Sequence, residues 1–463
     1  MMRHMDDQSW DVVVVGGGPG GAAAANILAQ GGRRVLVVEA ARFPRPHIGE
    51  SLLPGVNAVF DRLGVFKRLE RERFWLKTGG SFLWGRNPHP WSTHFVQKAE
   101  VIAYAVDERA TFTWHVDRDR FDAILLDAAR RRGATVRTGA KVVDAEVRGG
   151  RLRSLVVRGA GGKTERLSAK IFVDASGQAA VLSRALGWRE PDPQIRSSSL
   201  GAYFKGARSF TGALSSRIFL EALPDGVAIW SPLAGGRLAV HVVFDLEETD
   251  AAVGDPEGFF FKKLAASREI LPRLKKARRE GDFTVVRDYS QRSRLLAEPN
   301  VYLVGDAAGY VDPILTTGVL NALLSGTLAA DCAEAALRDP GRAPEVAAHY
   351  QATHGRRLGE LRDLTMLYYD ENRRRSHRYW RRRATRDHAA NRLMLFAHTY
   401  HIPGHRHWDS PMLRGYFRRW FDHLGPPAAV RRDPRFVAAA EAQRAVDLAW
   451  IDDPLLSPPG APK

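Results

Sequence analysis

At 463 residues, 44% of them hydrophobic, the chain is long enough to bury a large core and to hold two or three structural units. Its one cysteine, Cys332, excludes an intramolecular disulfide framework and fits a reducing cytosol, and no apolar run approaches the length of a membrane span. The net charge of +17 is uneven: arginine crowds the C-terminal third, as in RRRSHRYWRRRATR at 373–386, which reads as a solvated helix face or as a docking face for an acidic partner such as a carrier protein, whereas nucleic acid is disfavoured because no recognition motif accompanies the charge.

In chain order, MMRHMDDQSW is polar and acidic and is not expected to be a signal peptide. Residues 11–21, DVVVVGGGPGG, followed by VLVVEA at 35–40, predict a buried strand, a glycine turn, a helix and a second strand ending in an acid. The turn fits G-x-G-x-x-G through Gly16, Gly18 and Gly21. The first permits the tight turn, the second lets backbone N–H groups approach a pyrophosphate, and the third lets helix and strand pack closely. Glu39, about 20 residues on, stands where a carboxylate accepts hydrogen bonds from an adenosine ribose. The chain is therefore expected to bind a dinucleotide. VDASG at 173–177 and NVYLVGDAAGYVDP at 300–313 are two further apolar strands running into small-residue turns. Between them, alternating runs such as RLAVHVVFDL at 237–246, with turn signals at LPDG and AGG, predict a sheet. From about 341 helical patterns dominate, broken by IPGH at 402–405 and PP at 426–427, and SPPGAPK reads as a loose tail. No zinc-type spacing of cysteine and histidine is present, and the histidines around 401–407 lack a matching cluster, so no metal is expected.

The GD segment at 300–313 resembles that of glutathione-reductase-type FAD enzymes. That resemblance implies that Asp306 bonds the ribityl chain of FAD and that the following helix points its N-terminus at the isoalloxazine ring. Arg118, in VDRDRFDAILLDAA, resembles the family's FAD-contacting arginine, and its plain alternative is a surface charge near a helix start. FPRPHIGESLLP at 43–54 resembles the F-P-R-x-x-x-G-E-S-x-L-P signature of FAD-dependent halogenases of the phenol and pyrrole type, in the tryptophan-halogenase superfamily. FWLKTGGSFLWG at 74–85, the DPxxxxGV continuation after the GD motif, and LTMLYYDENRRRSHRYW at 364–380 extend the likeness.

The resemblance implies an α/β fold, α+β overall. A glutathione-reductase-type FAD-binding Rossmann domain would come from residues 1–78, 115–190 and 290–340. An antiparallel sheet from 79–114 and 191–289 would roof the flavin, and 341–463 would be mainly helical. It also implies a role for Lys77, the residue that delivers hypohalous acid to the substrate, by hydrogen bonding or as an N–halogen species. Thr317 and Gly318 would hold chloride or bromide through backbone N–H groups. FAD would arrive reduced by a separate flavin reductase, and no second G-x-G-x-x-G marks a nicotinamide site. The substrate would be a small electron-rich aromatic, a phenol or a pyrrole, free or tethered to an acyl-carrier protein, in antibiotic-type biosynthesis in the cytoplasm. One departure stands out. Halogenases usually carry W-x-W-x-I-P before a roof strand, and here GVAIWSPL at 226–233 places Val227 and Ile229 at the two Trp positions. A more open roof and direct hydroxylation, the chemistry of an FAD-dependent monooxygenase, is the alternative expectation.

Overall fold

The structure, a computed structural model, describes residues 10–84, 89–95, 111–287, 289–370 and 377–383. The stretches IPGH and PP, the histidines at 401–407, the SPPGAPK tail and much of the arginine-rich run lie outside the described residues.

Five strands form a parallel core. β1 (Trp10–Val15) is flanked by β2 (Val35–Glu39) and β10 (Thr164–Asp174); β7 (Thr135–Thr138) continues beyond β2, and β19 (Val301–Leu303) beyond β10. Val12–Val15 and Val35–Val38 are buried on both faces, which is why these segments read as unbroken β-branched runs rather than alternating ones. β18 (Ala297–Glu298) closes the β19 edge, and the first half of β10 pairs antiparallel with β9 (Arg151–Arg158), itself paired with β8 (Lys141–Arg148). Helices Pro19–Gln30 and Gly318–Arg338 pack on one another against this sheet; Gly326 makes that contact possible, since a Cβ there would lie 2.3 Å from Gly20 O.

The second sheet runs β16 (Arg278–Val286), β12 (Ser197–Lys205), β15 (Arg237–Asp245), β14 (Gly226–Pro232), β13 (Arg217–Leu223), β4 (Gly79–Leu83), β5 (Trp91–His94). It is antiparallel except at one place: β4 joins β13 in parallel, Gly79 opposite Arg217, so the roof expected to be antiparallel is a mixed sheet. A strand arriving from the nucleotide-binding half has no hairpin to reverse it. Alternation assigns the two faces. Leu200, Trp230, Val240, Val242 and Phe244 pack under Phe259, Phe260 and Ile270 of the short helices at 249–274, whereas Ser199, Ile229, Ser231, His241 and Val243 face the Rossmann half. Two small antiparallel pairs remain, β3 (Trp75–Lys77) with β6 (Thr113–His115) and β11 (Arg189–Pro191) with β17 (Gln291–Ser293).

Helix Ala343–Asp370 and the short helix Arg378–Arg383 tie both halves together. Tyr350 Oη donates to Leu303 O at 2.6 Å, Trp84 Nε1 to Tyr368 O at 2.7 Å, and Trp380 Nε1 to Leu223 O at 3.0 Å. Among the described residues no helix is long and apolar enough to cross a membrane.

Candidate active site

A cavity of about 530 Å³ opens where the chain reverses direction across the sheet, outside the carboxyl ends of β1, β2, β10 and β19. The roof face of the second sheet covers it. Of the residues singled out in the sequence, Gly16, Gly18, Glu39, Arg118, Asp306 and Gly318 line it.

Its nucleotide end is made largely by backbone. Gly16 takes φ +101°, and a Cβ there would sit 2.3 Å from Ala175 O. Gly21 does not face the cavity: its Cβ would fall 2.0 Å from Gly16 O, so its glycine serves the packing of helix on turn. Gly18 is different. A Cβ there meets only Arg45 Nη2, at 3.5 Å, and would otherwise project into the cavity. Glu39 accepts from Gly17 N at 2.6 Å and Ala41 N at 2.7 Å, which fixes its buried carboxylate at the rim.

Arg45 is a residue that the sequence motif contained but that reasoning by position missed. Its Nη1 is buried with no hydrogen-bond partner, 3.6 Å from Asp122, beside the glycine turn. A guanidinium with open donors, a helix N-terminus and a glycine-lined turn fit the diphosphate of FAD. At the opposite rim Asp306 accepts from Gln178 Nε2 at 3.0 Å; burial raises its carboxyl above the usual range, against that hydrogen bond and the charges of Arg189 and Arg118. Arg118 is buried at the start of its helix. It forms a two-pronged pair with Asp122 (2.8 and 3.0 Å) and donates from Nη1 to Ile48 O at 2.5 Å and Gly49 O at 3.2 Å, so it also pins the 43–54 segment against the cavity.

Lys77 is fully buried, and its Nζ donates to Leu52 O at 2.6 Å and to Thr316 Oγ1 at 3.4 Å, with the Phe95 ring 5.5 Å away. Burial holds its ammonium well below the ordinary lysine range. The same burial, with the charge of Lys77, pushes the neighbouring His115 imidazole well down. Thr316 lines the cavity in the left-handed conformation (φ 56°), and Thr317 follows as N-cap of the Gly318–Arg338 helix. The first-turn N–H groups of that helix have no intrahelical acceptor. Asp312 holds this loop by accepting from Ile314 N at 3.0 Å and from Tyr369 Oη at 2.8 Å, so the C-terminal helix reaches into the site. Lys77 and the Thr317–Gly318 turn, 240 positions apart in the sequence, are thus brought together.

The roof corrects one expectation. Ile229 lines the cavity with Ser231, but Val227 is fully buried and is not part of the lining, and Trp230 points away to stack edge-on against Phe210. Both positions share one face of β14, and only Ile229 reaches the cavity lining. Sequence reasoning also passed over Glu50 and His241, which meet there: His241 Nε2 lies 3.5 Å from Glu50 Oε2, and Tyr203 Oη donates to Glu50 Oε1 at 2.7 Å. Burial pushes the Glu50 carboxyl up, but His241, the Tyr203 hydroxyl and a backbone N–H outweigh it and hold it at about 2. Glu50 is visible in the GES motif; nothing in a strand such as RLAVHVVFDL marks its histidine.

The FAD binding domain family matches residues 9–323, and the tryptophan halogenase family matches 260–412. The chain is similar to a 1H-pyrrole-2-carbonyl-[peptidyl-carrier protein] chlorinase of Pseudomonas fluorescens, 29% identical over 80% of this chain and 85% of that protein. A tryptophan 2-halogenase of Chondromyces crocatus is 30% identical over 76% of this chain and 66% of that protein. Among solved structures, the myxobacterial chondrochloren halogenase CndH superposes with a TM-score of 0.77 at 28% identity, covering 88% of this chain and 93% of its own. The flavin-dependent halogenase CmlS gives 0.77 at 26%, covering 91% and 78%.

Proposed function

The chain belongs to the FAD-dependent halogenases, with FAD as cofactor and halide as co-substrate, and on that premise we propose that Lys77 directs hypohalous acid onto an electron-rich aromatic ring, a phenol or a pyrrole. Bound reduced FAD supplies, with O2, the oxidation of chloride or bromide to hypohalous acid. The residues around it do the rest. Gly16 and Gly18 admit the diphosphate, Arg45 neutralises it, Glu39 takes the ribose hydroxyls, and Asp306 and Arg118 hold the ribityl side. Thr317 and Gly318 hold the halide through backbone N–H groups.

The single observation that carries this reading is the buried Lys77 amine against Thr316, one residue before the halide turn. A desolvated amine is a nucleophile at neutral pH. It takes halogen from hypohalous acid, releasing water, and passes it to the ring carbon, whose proton leaves as the N–H is restored. As an N–H donor it can instead orient intact hypohalous acid toward the ring. Either way the oxidant is confined. Tethering of the substrate to an acyl-carrier protein is supported by the chlorinase relative, whose substrate is carrier-bound, and by the +17 charge, which suits an acidic partner. Reduced FAD would come from a separate reductase. Product mass spectrometry with chloride, bromide or neither tests the reading: halogenated product must appear only with halide. Ile229 in the cavity lining, at one of the two positions where a Trp shield would stand, favours direct hydroxylation as the second reading, and oxygenated product with no halogenated product at any halide concentration would establish it.

A further inference from the structure

Hypohalous acid formation consumes a proton. Reduced FAD, O2, halide and H⁺ give oxidised FAD, hypohalous acid and water: the flavin and the halide each supply two electrons, and the four reduce both oxygen atoms. An acid on the cavity itself can supply that proton. The cavity wall offers few. The arginines stay charged, Asp306 with its carboxyl raised by burial is engaged by Gln178 at the opposite rim, burial pushes the Tyr289 and Tyr310 hydroxyls well above their ordinary range, and Glu50 is held ionised at about 2. Burial, with the Arg118 charge next, drives His47 down to about 4, which leaves it neutral.

We propose that His241, oriented by Glu50, is the acid that delivers this proton inside the cavity. The ring projects from the cavity face of the roof, directly opposite Ile229 in the sheet register. It occupies a niche that Gly201 leaves, since a Cβ on Gly201 would lie 1.9 Å from His241 Nδ1. Neither ring nitrogen completes a well-aligned hydrogen bond to a described residue, while Nε2 stands at ion-pair distance, 3.5 Å, from Glu50. An ionised carboxylate beside an imidazole stabilises the protonated ring and sets its orientation. Tyr203 from β12 and the Gly49 N–H hold the carboxylate, and Arg118 from its helix lies close enough to keep it charged. On β14 its register partner is the uncharged Ile229.

This inference rests on the halogenase reading, and its test separates the two. The full-length FAD-loaded protein is reduced, mixed with O2, bromide and a 1,3-diketone that traps hypobromous acid, and followed from about pH 6 to 9. Wild type should slow as pH rises through a single inflection. His241→Asn should be about 10- to 100-fold slower, lose that inflection, and recover in part with imidazolium buffer, at unchanged FAD affinity. A second readout needs no turnover. In ¹⁵N-histidine NMR of the flavin-free chain, the ring signals missing from His241→Asn should move in Glu50→Gln. Brominated trap with the inflection intact in His241→Asn overturns the role of His241 alone, and a His241 signal indifferent to Glu50→Gln overturns the pair. No brominated trap from wild type at any pH overturns the halogenase reading as well.

Discussion

Two regions of the site, the glycine turn and the surroundings of Lys77, are built from different materials. At the glycine turn the ligand-facing surface is backbone, shaped by residues within one β-α-β unit, and the cost of a side chain there is a collision. Lys77 instead is a side chain buried outside the cavity lining, and its neighbours Leu52 and Thr316 come from 25 and 239 positions away. The first region tolerates desolvation because amide groups and a helix N-terminus are fixed partial charges. The second holds a lysine where water cannot reach it, which makes the amine reactive and the fold less stable. A backbone-lined turn and a buried amine thus place opposite demands on the same fold.

The largest expected effect separates them cleanly. Lys77→Ala should lower halogenated product on the order of 10²- to 10⁴-fold, as for loss of a positioned acid–base or nucleophilic group, while FAD affinity and oxidation of reduced FAD by O2 stay at wild-type values. Mass spectrometry and flavin absorbance read the two arms, and regioselective halogenation at full rate would remove Lys77 from the mechanism.

At the glycine turn, Gly18→Val should weaken FAD about 10- to 100-fold, the 1–3 kcal/mol of an overpacked contact, with no loss of Tm, since the new side chain projects into the cavity. Gly16→Ala should do the reverse in its first effect, costing about 1–3 kcal/mol of stability through the left-handed strain and the contact with Ala175 O. FAD titration beside thermal melts distinguishes a lost binding surface from a lost turn; equal Tm losses in both variants would break the comparison.

Stability sharpens it further. Because the folded-state pKa of Lys77 lies below its unfolded value, the unfolded chain binds more protons, so this lysine costs stability below about pH 10 and the cost fades as pH rises toward the unfolded value. Lys77→Met should therefore raise Tm at neutral pH, and the gain should shrink in alkaline buffer. A flat difference across pH would mean that the amine is solvated. The smallest effect is at the loop's outer brace: Tyr369→Phe removes the bond to Asp312, worth about 1 kcal/mol, and should raise the halide KM about fivefold with kcat and FAD affinity nearly unchanged.

The sequence by itself determined the elements whose chemistry is local. The valine run of β1, the G-x-G-x-x-G spacing, Glu39 at the end of β2 and the GD turn are legible because a few consecutive residues set the dihedral angles, the burial and the approach of backbone to ligand. It also named Lys77, through a motif rather than through geometry. Only the tertiary structure decided what surrounds that lysine, that Arg118 also pins the 43–54 segment, that Arg45 stands beside the glycine turn, that β4 enters the roof in parallel, and that Ile229 but not Val227 lines the cavity. These depend on which strand lies beside which and on how far a side chain reaches across the gap. Glu50 and His241, nearly two hundred residues apart, become neighbours only when the sheet closes over the cavity.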